Sequence, residues 1–244
     1  MVFNTGAALL DAIVLSVVCP DGHDGMPGNR KIVMTYSLTS ENEFKVEYVA
    51  ETDKATHMNI SHHSFFNLKG EGNGTINDHV LYINASRTTP VDALLIPTGE
   101  IADVTGTPFD FREPKTIGRD LGAENEQLQH GAGYDHNWVL DRVGATGLEL
   151  AASVYEPASG RCMEVWTDQP ALQFYGGKAH HKGGRWHRRI FQYYITRKNT
   201  PTAKVLTGRR FVCFDAYNQI GNRRCNDSIV HKGCTVIHGD IVFA

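Results

Sequence analysis

The chain holds 244 residues, 41% hydrophobic and 21% charged, which fits one large domain or two small ones and excludes collagen-like, disordered and membrane-embedded classes. Its five cysteines form no Cys-x-x-Cys pair, so neither a disulfide framework nor a zinc site is signalled, and no apolar run nears the roughly 20 residues that span a bilayer. The net charge of −3 hides a break: residues 178–244 carry 13 Lys or Arg against three Asp and no Glu, while residues 1–177 hold 11 basic and 24 acidic residues.

The apolar stretch Ala7 to Val18 lacks a basic leader and carries Asp11 in its middle, so it reads as a strand and not as a signal peptide. Short β-branched and aromatic runs follow at Ile13–Val18, Lys31–Leu38, Glu43–Ala50, Met58–Leu68 and His79–Asn84, each a predicted strand. In the third, Phe44, Val46 and Tyr48 alternate with Lys45 and Glu47, the pattern of a half-buried antiparallel strand. A turn or two of helix is predicted around Gly122–Gln129, then strands at His136–Leu140, Leu148–Tyr155, Met163–Thr167 and Leu172–Tyr175. Gly, Pro, Asn and Asp punctuate these runs, as in Pro20-Asp21-Gly22 and Pro27-Gly28-Asn29, where Gly supplies positive φ and Pro presets the turn. The pattern predicts an all-β chain built as a large antiparallel sandwich. Beyond Lys178 the alternation weakens, and Phe211–Phe214 and Thr235–Ala244 are short apolar pieces in a basic, irregular segment. Such a charge break marks a domain boundary, a nucleic-acid arm or a segment of different origin.

Polar residues inside apolar strands need a reason, because burying one unpaired costs about 1–3 kcal/mol. The densest cluster runs from Asn59 to Leu68 and contains His62, His63 and Asn67. Neighbours on a strand face opposite sides, so at most one of the two histidines addresses a given site. A second cluster, Gly131 to Trp138, delivers Asp135, His136 and Asn137 from a glycine-rich loop into a strand. Aromatic faces interleaved with Asp, Asn, Gln and His suit a polyhydroxylated ring, which stacks through its apolar face and takes directional hydrogen bonds through its hydroxyls. The rival readings are a metal site on His62, His63, His79 and His136, and a phosphate cradle at Gly70–Gly74. The first lacks a His-x-His or Glu-x-x-His pairing, and the second lacks a following helix or Lys-Ser/Thr pair. For the basic segment, Arg185, Arg188, Arg189, Arg209 and Arg210 with Trp186 are what a nucleic acid would use, but no binding motif organises them.

Taken together, Pro20-Asp21-Gly22, Gly25 to Asn29, Asn59 to Leu68, Thr89 to Asp92, Ile96 to Ile101, Gly106 to Phe111, Gly133 to Asn137 and Gln173 to Gly177 are similar, in order and separation, to the motifs of the aldose 1-epimerases, also called galactose mutarotases. The resemblance spans roughly residues 12 to 177. It implies a large antiparallel β-sandwich of the galactose mutarotase type, incomplete at both ends, and interconversion of the α and β anomers of a free aldose with no cofactor and no metal. It carries the family's general acid onto His63, the hydroxyl-gripping carboxylate onto Asp135 and the sugar-binding glutamine onto Gln173. Asn67 and His136 match residues at or beside the pocket. The implied partner is a small-molecule aldose, with no nucleic acid and no membrane, and the lack of a disulfide pattern points to the cytoplasm.

Two departures go with it. The chain begins after the family portion that carries an Asn-Arg pair and another active-site histidine. The family's Leu-Glu-Thr-Gln box, which carries the catalytic base, should follow Gln173-Phe174-Tyr175 within a few tens of residues, yet Glu164 is the last glutamate. The expectation is therefore a mutarotase-like portion over residues 1–177, a basic segment without that resemblance over 178–244 that has the look of a changed reading frame, and impaired catalysis.

Overall fold

The computed structural model describes residues 11–177 apart from 59, 61, 62, 71, 145 and 146, and as backbone only residues 4–5, 63, 211–213, 229–230 and 233–243. In chain order its elements are β1 (Asn4–Thr5), β2 (Ala12–Cys19), β3 (Arg30–Leu38), β4 (Glu43–Thr52), β5 (Thr56–His57), β6 (His63–Phe66), β7 (Val80–Ile83), β8 (Arg87–Thr89), β9 (Ala102–Asp103) and β10 (Lys115–Thr116). The short helix α1 (Glu126–Gly131) precedes β11 (Asp135–Val139), β12 (Glu149–Glu156), β13 (Arg161–Thr167), β14 (Ala171–Tyr175), β15 (Phe211–Cys213), β16 (Ile229–Val230) and β17 (Gly233–Phe243).

The strands form a nine-stranded sheet in the order β1-β2-β3-β4-β17-β13-β12-β7-β10, a four-stranded sheet β14-β11-β8-β9, and the two pairs β15-β6 and β16-β5. All pairings are antiparallel, with β2, β3 and β4 in simple meander register, Ser16 opposite Val33 and Val33 opposite Val49. Along β4 the predicted alternation holds: Val46, Tyr48 and Ala50 are buried, while Lys45 and Glu47 are only half-buried. β17, from the basic segment, lies between β4 and β13, with Val236 opposite Val49 and Ile241 opposite both Phe44 and Val165.

The core lies between the two large sheets. Val46 and Tyr48 of β4, Leu81 and Ile83 of β7, Val154 of β12 and Met163 and Val165 of β13 meet Trp138 of β11 and Leu172 and Phe174 of β14. Removing each such side chain from water is worth about 1.5–3 kcal/mol, so this layer is the main source of stability. A strap through Phe109 and Phe111 closes it: the Trp138 indole donates to the Phe109 carbonyl at 2.9 Å and the Tyr134 hydroxyl to that of Pro108 at 3.0 Å. These two buried polar tips thus find partners, as their desolvation demands.

The predicted strand over Met58–Leu68 is shorter in the molecule, running from His63 to Phe66. Asn67 ends it by turning the chain, its own carbonyl accepting from the Gly70 amide at 2.8 Å. Among the described residues no helix is long and apolar enough to cross a membrane.

Candidate functional site

β11 has β14 on one side and β8 on the other. Asp135 lies opposite Tyr175 and Asn137 opposite Gln173, while Asn137 also lies opposite Thr89 of β8. Opposed residues share a face, and every second residue returns to it. Asp135, Asn137, Gln173, Tyr175 and Thr89 therefore occupy the face turned away from the core, and His136, Trp138, Leu172 and Phe174 the face turned into it.

On the outward face Gln173 donates through Nε2 to Asp135 Oδ1 at 3.1 Å, and Asn137 donates through Nδ2 to Thr89 Oγ1 at 3.3 Å. The Asn137 Oδ1 atom is buried and has no hydrogen-bond partner among the described residues. Phe65 of β6 sets its ring edge against that of Tyr175, centroids 6.2 Å apart. Asp135, Gln173, Tyr175 and Phe65 are all half-buried, which leaves them reachable by a ligand. A carboxylate, two amides and two ring faces in one place can accept and donate hydrogen bonds to neighbouring hydroxyls while covering an apolar surface.

The loop into β11 has local causes. Asn125 caps α1, accepting from the amides of Gln127 and Leu128 at 3.0 and 3.3 Å. The helix ends at Ala132 in the left-handed region, φ 49°, and Gly133 follows at φ 120°, a backbone that side chains with a Cβ rarely adopt. At Gly131 a Cβ would stand 3.0 Å from His136 Cε1, so a glycine lets the histidine ring lie against the helix end.

The structure brings Asp135 and Gln173 together, and sets the side chains of His136 and Asn67 away from that pair. His136 is 1% exposed, edge-on to Phe109 at 4.7 Å, and its Nδ1 accepts the Asp135 amide at 3.1 Å; it braces the site from behind the sheet. Asn67 is buried, and its side chain works within the turn it starts, donating to the Gly74 carbonyl at 3.3 Å and accepting from the Lys69 amide at 3.0 Å. The backbone of His63 opens β6 and pairs with Cys213; its side chain lies outside the described residues, as does His62. His79 is fully buried, and its Nε2 accepts the Leu68 amide at 3.1 Å. Among the described residues no group of three His, Cys, Asp or Glu is arranged to hold a metal ion.

Asn137, named from the sequence only as part of the Gly131–Trp138 cluster, joins the site, as do Thr89, Tyr175 and Phe65, which were given no role from the sequence. Strand alternation carried the signal for two of them, since Asn137 is two residues from Asp135 and Tyr175 two from Gln173. A cleft of about 720 Å³ lined by Pro108, Asp110, Arg112, Arg119 and Asp120 contains none of these residues. Most of its charges are paired: Arg112 grips Asp110 through two contacts of 2.9 and 2.6 Å, and Asp120 accepts from Lys115 at 2.6 Å and Arg119 at 3.3 Å.

A family model described as aldose 1-epimerase matches residues 5–208, a span that reaches past Gly177. The chain is 43% identical over 173 residues to the galactose mutarotase of Homo sapiens, covering 71% of this chain and 48% of that protein. It is 36% identical over 165 residues to the aldose 1-epimerase of Escherichia coli, covering 68% of this chain and 47% of that one. The chain thus spans about half the length of the curated relatives it matches. Among solved structures it is similar to a galactose 1-epimerase from Lactobacillus acidophilus, with a TM-score of 0.73 and 26% identity, covering 99% of this chain and 65% of that one.

Proposed function

The chain belongs to the aldose 1-epimerase family, and from that premise we propose that the β11–β14 face binds a free aldose such as glucose or galactose and that the fold serves its anomerisation. The observation that carries this reading is the Gln173–Asp135 hydrogen bond on a half-buried face beside the Tyr175 and Phe65 rings. The carboxylate accepts from two sugar hydroxyls, the amide completes the set, and the rings cover the apolar side of the sugar. His63 is the acid that protonates the ring oxygen while a carboxylate base takes the anomeric proton; the ring opens, C1 turns, and the ring recloses from the other face. No cofactor is needed, because the C1–ring-oxygen bond breaks and re-forms within the sugar, with proton transfers to and from side chains and no net oxidation or group transfer.

The base is the weak point. No glutamate follows Glu164, although the family's glutamate box belongs within a few tens of residues after Tyr175. Loss of one general base costs about 10²–10⁴-fold in rate, so this chain turns over slowly. That inventory also favours a second reading, a sugar-binding sandwich that does not catalyse. Residues 178–244 are, on this proposal, a segment of different origin from residues 1–177. The partner is a small aldose and neither nucleic acid nor membrane, and the compartment is the cytoplasm, supported by Cys19 and Cys162 standing free.

Polarimetry of freshly dissolved α-D-glucose and α-D-galactose decides between the readings, with wild type compared against His63→Ala. Slow acceleration that disappears in the variant supports impaired catalysis. A rate equal to the buffer's, with measurable sugar affinity, supports binding alone. Full family-level turnover overturns the claim about the base.

A further inference from the structure

The turn after β6 is clamped from two directions at one residue, through the peptide groups on either side of the Leu68 Cα. The Leu68 amide donates to His79 Nε2 at 3.1 Å, and the Leu68 carbonyl accepts from Arg161 Nη1 at 2.8 Å and Ser159 Oγ at 3.3 Å. The second pair belongs to the β12–β13 hairpin, whose turn is tied by Glu156 accepting the Ala158 and Ser159 amides at 3.0 and 2.7 Å. Leu68 is three residues from Phe65, whose ring meets Tyr175 on the outward face of β14. The position of β6 against that face is thus referred to His79 on one side and to the hairpin on the other.

The hydrogen bond fixes the state of the ring. An imidazole that accepts at Nε2 carries its proton on Nδ1, and an imidazolium has two donors and no acceptor. Protonated His79 would aim an N–H at the Leu68 N–H, so the clamp and the charge exclude each other. The charged groups around His79 are Asp78, whose Oδ1 is 3.5 Å from Nδ1, and Glu156 and Lys69. Lys69 itself pairs with Asp78 across the mouth of the same turn. Burial, the largest influence, pushes the His79 pKa below its usual range, while the two carboxylates pull the other way.

We propose that His79 is a positioning residue for β6: neutral, it holds the Leu68 peptide and with it the Phe65 side of the binding face; protonated, it releases them, and ligand affinity falls through a group that never touches the ligand. The affinity part rests on the aldose reading above; the clamp does not. One proton coupled to release changes affinity by at most about tenfold per pH unit below the His79 pKa.

The test uses the full chain with ¹⁵N-labelled histidine and a ¹⁵N backbone, titrated from pH 8 to pH 5 with and without D-galactose, in wild type, His79→Gln and His79→Phe, after circular dichroism has shown the variants folded. Expected in wild type are a neutral Nδ1–H tautomer at pH 8 and Leu68 amide protection and galactose affinity that fall together with the His79 titration. In His79→Gln the amide oxygen still accepts from Leu68, so both stay level with pH. In His79→Phe the Leu68 amide is unprotected throughout. A Leu68 amide as protected in folded His79→Phe as in wild type overturns the proposal, as does an acid step that persists in His79→Gln. If galactose fails to bind at any pH, the Leu68 step still decides: present in wild type and absent in the Gln variant, it upholds the clamp while the sugar reading falls; absent in wild type, it sinks the clamp.

Discussion

Asp135 is held in place by two independent contacts, its amide to His136 Nδ1 and its carboxylate to Gln173. Its side chain is therefore oriented before any ligand arrives, which lowers the entropic cost of binding. Asp135→Asn keeps the size but removes the charge, and hydrogen bonds to charged groups are worth about 1.5–3 kcal/mol. The expected outcome is a roughly 10- to 100-fold loss of galactose affinity with unchanged thermal stability, read by calorimetric titration. Two buried groups contribute to the acid sensitivity of the fold. His79 titrates lower folded than unfolded, chiefly through burial, so its contribution to stability is complete above the free-histidine value of about 6.5 and is lost as pH falls below it. Glu156 is also lowered, first by its hydrogen bond with Ser159; its contribution is present above the free-glutamate value of about 4.3 and is lost as pH falls through the folded value. Urea midpoints should thus decline first in the histidine range and further in the carboxylate range, where Asp21, Asp53, Asp78, Asp103, Asp110 and Asp120 are lowered as well, and His79→Gln should remove the upper decline while leaving the lower.

Element by element, what alternation encodes was readable and what long-range pairing encodes was not. β3, β4, β12 and β14 each carry enough residues for a period of two to show, and Val46 and Tyr48 fall inward as their spacing demands. β8, β9 and β10 have two or three residues each and display no period; their strand character comes from neighbours distant in sequence. Asp135 and Gln173 were legible through motif resemblance, whereas the inward place of His136 follows from its being adjacent to Asp135 on one strand. The 58–68 run read as one strand because Asn67 looks like a polar residue in a strand; only its bonds to Gly74 and Lys69 reveal a turn. The loop feeding β11 gives a test at this scale. In Gly131→Ala the new Cβ meets His136 Cε1, and the ring is pinned by Phe109 and by the Asp135 amide. Overpacking of this kind costs about 1–3 kcal/mol. The melting temperature should fall, with galactose affinity falling alongside it, since the displaced ring is the one that bonds Asp135.

At the scale of the whole molecule, the charge break at residue 178 and the sheet order make opposing statements about the last 67 residues. Composition sets them apart as a basic segment, yet β17 sits inside the large sheet, paired along Gly233–Val242 with β4 and along Gly239–Phe243 with β13. Its register puts Asp240 opposite Lys45 and His238 opposite Glu47. If β17 holds β4 and β13 together, cutting the chain after Gly177 uncovers two long edges with unpaired amides and carbonyls, the setting in which sheets aggregate. The truncated chain should then melt at a lower temperature than the full chain and associate on gel filtration, with β4 and β13 amides losing hydrogen-exchange protection first. If residues 178–244 are instead an appendage, the truncated chain should stay monomeric, melt like the full chain and bind galactose equally well. The β4 and β13 amides carry the decision, because no other strand in the described fold is placed to protect both.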